Sequence, residues 1–262
     1  MHANERERLI VEMMQERGFV SFQELDSRLE ASPATIRRDL ERMAQEGRLK
    51  RVRGGAELVG GDQRPATSGQ GHLSGVPFHE NIGRHTREKA AIGRAAAALC
   101  RPQEAVMIDG GSTTLQMCPH LAGLNLQVLT NSLHIVSALL PQAGTRILVP
   151  AGTVFREQNI ILSAAGEDSM PRFHAPRLFM GAAALGPQGV MQADVVLVAA
   201  ERRLIERADE IIILVDSSKF RGPSGNVVCD LAEIDIVVTD AGVSDADRRL
   251  LRDAGVRLVI AE

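Results

Sequence analysis

The sequence predicts an α/β protein in two unequal parts: a small helical N-terminal domain and a larger domain built on a parallel sheet. Three observations carry this expectation. The first sixty residues show helical periodicity and close on a short basic hairpin pattern. A stretch rich in Gly, Ser and Pro, "GGDQRPATSGQGHLSGV" at 60–76, then interrupts all apolar patterning and reads as a linker. Beyond it, the apolar runs "EAVMID", "LQVLTN", "TRILVP", "EIIILVD", "IDIVVTD" and "VRLVIA" alternate with helix-forming segments such as "TREKAAIGRAAAALC" and "SDADRRLLRDAG". Several runs lack period-two alternation, as strands buried on both faces of a parallel sheet do. The domains are therefore expected at 1–59 and 77–262.

Composition narrows the class. A chain of 262 residues suits one small and one medium domain. No apolar run approaches the ~18 residues that span a bilayer, and the charged start "MHANERERLIVEMM" lacks a signal-peptide core. Cys100, Cys118 and Cys229 are scattered and odd in number, so neither a disulfide framework nor a zinc site is suggested. His79 and His85 are poorly spaced as ligands, and no Cys or carboxylate completes a set. The simplest expectation is a cytoplasmic protein with no metal, no cofactor and no membrane partner.

In the first domain, a helix is expected from about Asn4 to Arg17, with Ile10, Met13 and Met14 at core spacing and Gly18 as its stop. "SFQE" at 21–24 reads as a capping box, with Leu25 and Leu29 giving the next short apolar face. Ser32 is then an N-cap with Pro33 at the first helical position. Ile36, Leu40 and Met43 form one inward stripe. At ~100° per residue, Ala34, Thr35, Arg38 and Arg42 face the other way, with Arg37 on the flank. Two short helices followed by "GRLKRVRGGAEL", a basic strand, a Gly-Gly turn and a return strand, make a winged helix-turn-helix.

The net charge of −3 hides a local surplus. From Ser32 to Leu58 seven basic residues (Arg37, Arg38, Arg42, Arg48, Lys50, Arg51, Arg53) face four acidic ones, a balance of +3. Arginine reads guanine edges, while wing residues such as Lys50, Arg51 and Arg53 suit phosphates. The chain has no Trp and no Tyr, which disfavours single-strand recognition by base stacking. Duplex DNA is the expected partner, contacted through Ser32, Ala34, Thr35, Arg37, Arg38, Arg42 and the wing. "SPATIRRDLERMAQEGRLKRVRGGAE" resembles the N-terminal signature of the DeoR family of bacterial transcriptional regulators.

In the second domain, "VMIDGGSTTLQM" ends a strand at Asp109 and turns through Gly110 and Gly111 into Ser112, Thr113 and Thr114. Glycines admit an anion close to the backbone, and free amides at a helix start attract it. A second strand ends in Thr130, Asn131 and Ser132. A third ends at Asp216, suited to sugar hydroxyls, with Lys219 beyond as a point charge for phosphate. The D-x-G-[ST]-T, TNS and DSSKF elements, together with "TREKAAIGRAAA" carrying Glu88 and Lys89, resemble the DeoR family's effector domain. The resemblance implies a fold like ribose-5-phosphate isomerase and the CoA transferases, and a phosphorylated sugar as effector.

Where the common family pattern has glutamate, this chain has Leu197; an acid stands at Asp194 instead, and Glu201 follows "VAA". That arrangement is more similar to the L-ascorbate-utilisation branch, and it widens the expected effector to a phosphorylated sugar, sugar acid or lactone. Glu201 is an isolated acid whose carboxylate would suit a sugar hydroxyl, but it is read first as a surface helix glutamate; Asp245 and Asp247 are read as first-turn acids at a helix start. The expected function is a repressor of a carbohydrate-utilisation operon, acting as at least a homodimer. The alternative is a sugar-phosphate isomerase or lyase, for which Asp109, Asp194, Glu201 and Asp216 are the candidate bases. No pair among them has a spacing that compels catalysis.

Overall fold

The computed structural model describes residues 6–7, 9–11, 13, 19–21, 25–26, 28–29, 31–46, 48–52, 55–58, 78–162, 170–222 and 225–262. They belong to two compact units, Met1–Gly71 and His72–Glu262. The expected linker at 60–76 lies outside the described residues, as do Met14, Gly18 and Glu24.

The first unit is organised by helix α1, Pro33–Gln45. Its start follows the sequence: the Ser32 side chain accepts from the Thr35 amide at 3.3 Å, and Pro33 occupies the first turn. Ile36, Leu40 and Met43 are buried with Ile10, Leu25 and Leu29 in one core, joined by Leu49 and Ala56 of the hairpin. That hairpin is β2, Leu49–Val52, antiparallel to β3, Gly55–Leu58. A further strand, β1 at Phe19–Ser21, pairs with the other edge of β3. Ser21 ends β1, and the rest of the expected capping box at 21–24 lies outside the described residues.

The second unit is built on seven strands, all paired in parallel. In chain order they are β4 (Ala105–Ile108), β5 (Gln127–Leu129), β6 (Arg146–Leu148), β9 (Ala175–Met180), β12 (Ala208–Leu214), β14 (Ile236–Asp240) and β15 (Arg257–Ala261). Their spatial order is β15-β14-β12-β9-β4-β5-β6. Both faces are covered. Val106, Ile108, Phe179, Ile212 and Leu214 pack with Ile92 and Ala96 of α3 (Thr86–Ala97) and Ile135 of α4 (Leu133–Leu139). Met107, Leu178, Met180, Ile211 and Ile213 pack on the opposite side with Leu204 of α5 (Val195–Ile205) and Leu251 of α6 (Asp245–Asp253). Each strand thus sends alternate side chains into two cores, which is why the runs read as continuously apolar.

The six strands expected from the sequence are present. The seventh, β9, sits at the centre of the sheet and was not among them, because Pro176 and Arg177 interrupt its apolar run. Arg177 is accommodated between Glu104 at 2.5 Å and Glu210 at 2.7 Å. Two smaller sheets complete the unit. One is β7 (Thr153–Phe155) with β8 (Ile160–Leu162). The other joins β10 (Ala184–Gly186), β11 (Gly189–Gln192) and β13 (Asn226–Cys229). A short helix, α2 at Phe78–Asn81, precedes α3.

Candidate functional site

Chain order along the sheet reverses between β4 and β9: β5 and β6 lie outward of β4, while β12, β14 and β15 lie outward of β9. In parallel α/β sheets such a reversal opens a crevice at the carboxyl ends of the strands. A cavity of about 600 Å³ is found there. Its walls include Asp109–Thr113 after β4, Asn131 after β5, Gly181–Ala183 after β9, and Val215, Ser218 and Lys219 after β12. Phe78, Asn81, Arg84 and Gln158 contribute from other segments. The loops after β4, β5 and β12 thus meet at one crevice.

The loop after β4 is held by the loop after β5. The Gly110 amide donates to Asn131 Oδ1 at 2.9 Å, and Asn131 Nδ2 donates to Asp109 Oδ1 at 3.1 Å. The Thr114 hydroxyl donates to the carbonyls of Asp109 at 2.8 Å and Gly111 at 3.0 Å. Gly110 must be glycine for space: a Cβ there would stand 2.5 Å from Ile160 Cγ2. Thr114 itself is fully buried and does not line the cavity; a 3-10 helix, Thr114–His120, begins with it. Thr130 and Ser132 are likewise occupied in shaping the backbone, accepting from the amides of Ser132 and Ile135. Of "TNS", only Asn131 faces the cavity.

One wall is cationic. Lys219 and Arg84 line it, and Lys89 stands behind Asn81, donating to its backbone carbonyl and to its Oδ1 at 3.2 Å. Lys89 is 1% exposed. Burial pushes its ammonium down to about 8; Asp216 opposes that shift, while Lys219 and Arg84 reinforce it. Three cations with one compensating carboxylate leave this wall positive. Asp216 does not line the cavity: it caps the turn before Lys219, accepting from the Ser218 amide at 3.2 Å and from its hydroxyl. Asp194 does not line it either, and instead caps α5 through the Val196 amide at 2.9 Å.

Glu201 corrects the sequence reading. It is not a surface residue: it is 3% exposed on α5, lines the cavity, and accepts from Gln192 Nε2 at 2.5 Å. Burial, and then the charge of Asp109, raise its carboxyl well above the ordinary range. Asp109 is raised too, by burial, against the opposing hydrogen bonds from Asn131 and Gly110. The sequence offered only "VAAE" after an acid-to-Leu197 change. Gln192, Asn81 and Gln158 carried no signal, because their place depends on segments far apart in the chain. Among the described residues no group of three or more His, Cys, Asp and Glu side chains could hold a metal ion.

In the first unit, Pro33, Ala34 and Arg38 are exposed on α1, and Thr35 is partly so. Arg38 makes no ion pair with a described residue. Arg42, expected to face outward, is half-exposed but paired with Glu7 and with Asp39. Asp39, itself buried, also accepts from Arg6 at 2.7 Å, and Arg48 reaches Glu7 at 2.6 Å. These pairs fasten α1 to the first helical segment. For Arg37, Lys50 and Arg51 the backbone alone is described, and Arg53 lies outside the described residues.

Residues 6–60 match the DeoR-like helix-turn-helix domain, and residues 84–241 match the DeoR C terminal sensor domain. The chain belongs to the DeoR family. It is a DeoR-family helix-turn-helix transcriptional regulator with a sensor domain. The HTH-type transcriptional regulator UlaR of Shigella dysenteriae serotype 1 (strain Sd197) is 29% identical over 256 residues, spanning 97% of this chain and 98% of that protein. UlaR of Escherichia coli (strain K12 / DH10B) has the same identity and coverage. Among solved structures, ribose 5-phosphate isomerase A of Methanocaldococcus jannaschii has a TM-score of 0.37 at 14% identity, over 50% of this chain and 52% of that one. No helix of the described residues is long and apolar enough to cross a membrane.

Proposed function

We propose that this DeoR-family regulator is a repressor of a carbohydrate-utilisation operon, released from duplex operator DNA when its cavity takes a phosphorylated sugar, sugar acid or lactone. The observation that carries the effector reading is the meeting, at the carboxyl ends of the central strands, of a glycine-opened loop with the cationic wall of Lys219, Arg84 and Lys89. The loop's amides at Gly111, Ser112 and Thr113 have no protein acceptor among the described residues, so they are free to donate to an anion. Asp109, Gly110 and Asn131 then contact or frame the ligand. Thr114, Thr130, Ser132, Asp194 and Asp216 set the loops that present it.

On the DNA side, Ala34, Thr35 and Arg38 enter the major groove, Ser32 and Arg37 flank them, and Lys50, Arg51 and Arg53 of the wing take phosphates. Arg42 is shared between this face and its pairing with Glu7 and Asp39. A helix-turn-helix of this kind reads a symmetric or repeated site, so the protein acts as at least a homodimer in the cytoplasm, with 60–76 linking domains 1–59 and 77–262. The full-length relatives are named transcriptional regulators, and no observation favours an isomerase or lyase.

The test is binding of the purified protein to DNA upstream of its own transcription unit, at fixed salt, titrated with a panel of sugar phosphates. Release by one compound, bound without turnover, is expected. Tight DNA binding that no phosphorylated compound perturbs would remove the effector reading.

A further inference from the structure

The cavity has a second wall that anion binding leaves unused. Glu201 Oε1 is satisfied by Gln192, but Glu201 Oε2 is buried and has no hydrogen-bond partner among the described residues. A buried carboxyl oxygen without a partner is costly to a fold and is retained where something else completes it. This one belongs to a side chain that lines the cavity, so a ligand can supply the missing donor. Asp109 stands in the same wall, close enough for its charge to act on Glu201. One of its oxygens is already engaged by Asn131. In their ionised form these two carboxyls give the wall acceptors and negative charge, while Lys219, Arg84 and Lys89 present the opposite character.

Resting on the reading that this cavity takes a sugar phosphate, we propose that Glu201 is a specificity-determining residue. Its free Oε2 accepts a hydrogen bond from an effector hydroxyl, and with Asp109 it excludes ligands whose non-phosphate end is a carboxylate. The effector class narrows accordingly, from the wider set of sugars, acids and lactones to a phosphorylated polyol, ketose or lactone with one anionic end. The physical reason is the low-dielectric wall: a third carboxylate beside two buried carboxyls is repelled, or must carry a proton. A hydroxyl brings a donor and no charge.

Matched pairs test this on the full-length protein by calorimetry at about pH 8: ribitol 5-phosphate against 5-phosphoribonate, and glucitol 6-phosphate against 6-phosphogluconate. Within each pair only the terminal carbon changes, from hydroxymethyl to carboxylate. The polyol phosphate is expected to bind at least about tenfold tighter than its acid. Glu201→Gln, of the same shape but uncharged, is expected to narrow that ratio. Glu201→Met, which removes the acceptor, is expected to weaken the polyol phosphate by about tenfold or more. The thermal midpoint of each variant shows that it is folded. Equal or reversed preference in the unmodified protein, or a ratio unchanged by Glu201→Gln, overturns the role of Glu201 while leaving the sugar-phosphate site standing. If none of the four compounds binds the unmodified protein, while another sugar phosphate releases it from DNA, the role given to Glu201 is overturned and the sugar-phosphate reading stands; if no sugar phosphate acts, both fail.

Discussion

Gly110→Ala tests the packing that shapes the effector loop. The added Cβ would meet Ile160 Cγ2 at 2.5 Å, Asn131 Oδ1 at 3.1 Å and Ser132 Cβ at 3.3 Å. Carbon atoms rest at about 3.5–4.0 Å, so Ile160 or the loop must move by about 1 Å. Ile160 cannot yield freely: it is 3% exposed, and the adjacent Ile161 amide is bonded to the Asn131 carbonyl at 2.8 Å. On the other side, Asn131 Oδ1 is the acceptor for the Gly110 amide. Overpacking of this kind costs about 1–3 kcal/mol. For a unit of this size, each kcal/mol lowers the midpoint by roughly 2–4 °C, giving a fall of about 2–12 °C. The shift also re-aims the amides of Gly111 and Ser112, so effector affinity should fall by about tenfold or more, since small misplacements are amplified in such sites. Calorimetric melting and effector titration of the full-length variant supply both readings. An unchanged midpoint with unchanged effector affinity would refute the packing argument.

Other expectations concern both units. Arg38→Ala should weaken specific operator binding by about 1–3 kcal/mol while calorimetric effector affinity stays the same; loss on specific and random DNA alike would make Arg38 a phosphate contact. Lys219→Ala removes a charged donor worth about 1.5–3 kcal/mol, so the effector concentration for half-release should rise roughly 10- to 150-fold; a normal response would exclude it from the site. Arg177→Ala leaves Glu104 buried without its cation, and unfolding free energy should drop by about 3 kcal/mol in denaturant titration; a drop below about 1 kcal/mol would make that pair dispensable. The last concerns pH. Because folding raises the Glu201 pKa, its contribution to stability is intact below its ordinary value of 4.5 and declines as pH climbs toward the folded value. Glu201→Gln lacks this decline, so its midpoint should gain on that of the unmodified protein as pH rises above the ordinary value of 4.5; parallel curves would show that folding does not raise the Glu201 pKa.

Local rules made much of this molecule legible. Ser32 and Pro33 fixed the start of α1, Ile36, Leu40 and Met43 its inward face, and Asp245 and Asp247 the acidic first turn of α6. The glycines and hydroxyls after β4 announced a special loop, and that loop lines the cavity. Long-range pairing was not legible. β9 hides behind Pro176 and Arg177, whose charge is tolerable only because Glu104 and Glu210 arrive from elsewhere in the chain. β1 depends on a hairpin some thirty residues downstream. Glu201 looks like any helix glutamate until β11 and β13 fold against α5 and close it off. The burial of Lys89 is not legible in its own helix, because it depends on Asn81, which accepts from its ammonium, and on the nearby charge of Asp216. Polar residues at sites break amphipathic patterning, so pattern reading assigns them to solvent.

The two walls of the cavity bear on regulation as well as on recognition. An effector changes operator affinity only if it binds two arrangements of the protein with different free energy, and the coupling is reciprocal. Tight binding alone shifts nothing. The carboxylates and cations here come from separate segments: Asp109 from the end of β4, Glu201 from α5, Lys219 from the turn after β12, and Asn81, braced by Lys89, from α2. A ligand with one anionic and one hydroxylic end has to bring all of these to fixed distances at once, and that requirement gives it different affinities for different arrangements. Inorganic phosphate, which spans only the cationic wall, has far less to discriminate with. Along the chain, α2 is also the first described segment after the stretch that follows the helix-turn-helix unit, and its Phe78 ring stacks on His134 at 4.2 Å while Asn81 meets the cavity. On the proposed effector reading, a ligand that sets the position of Asn81 would act on the first described element after the helix-turn-helix unit in the chain, and recognition of its hydroxylic end would make that position depend on the effector's chemistry.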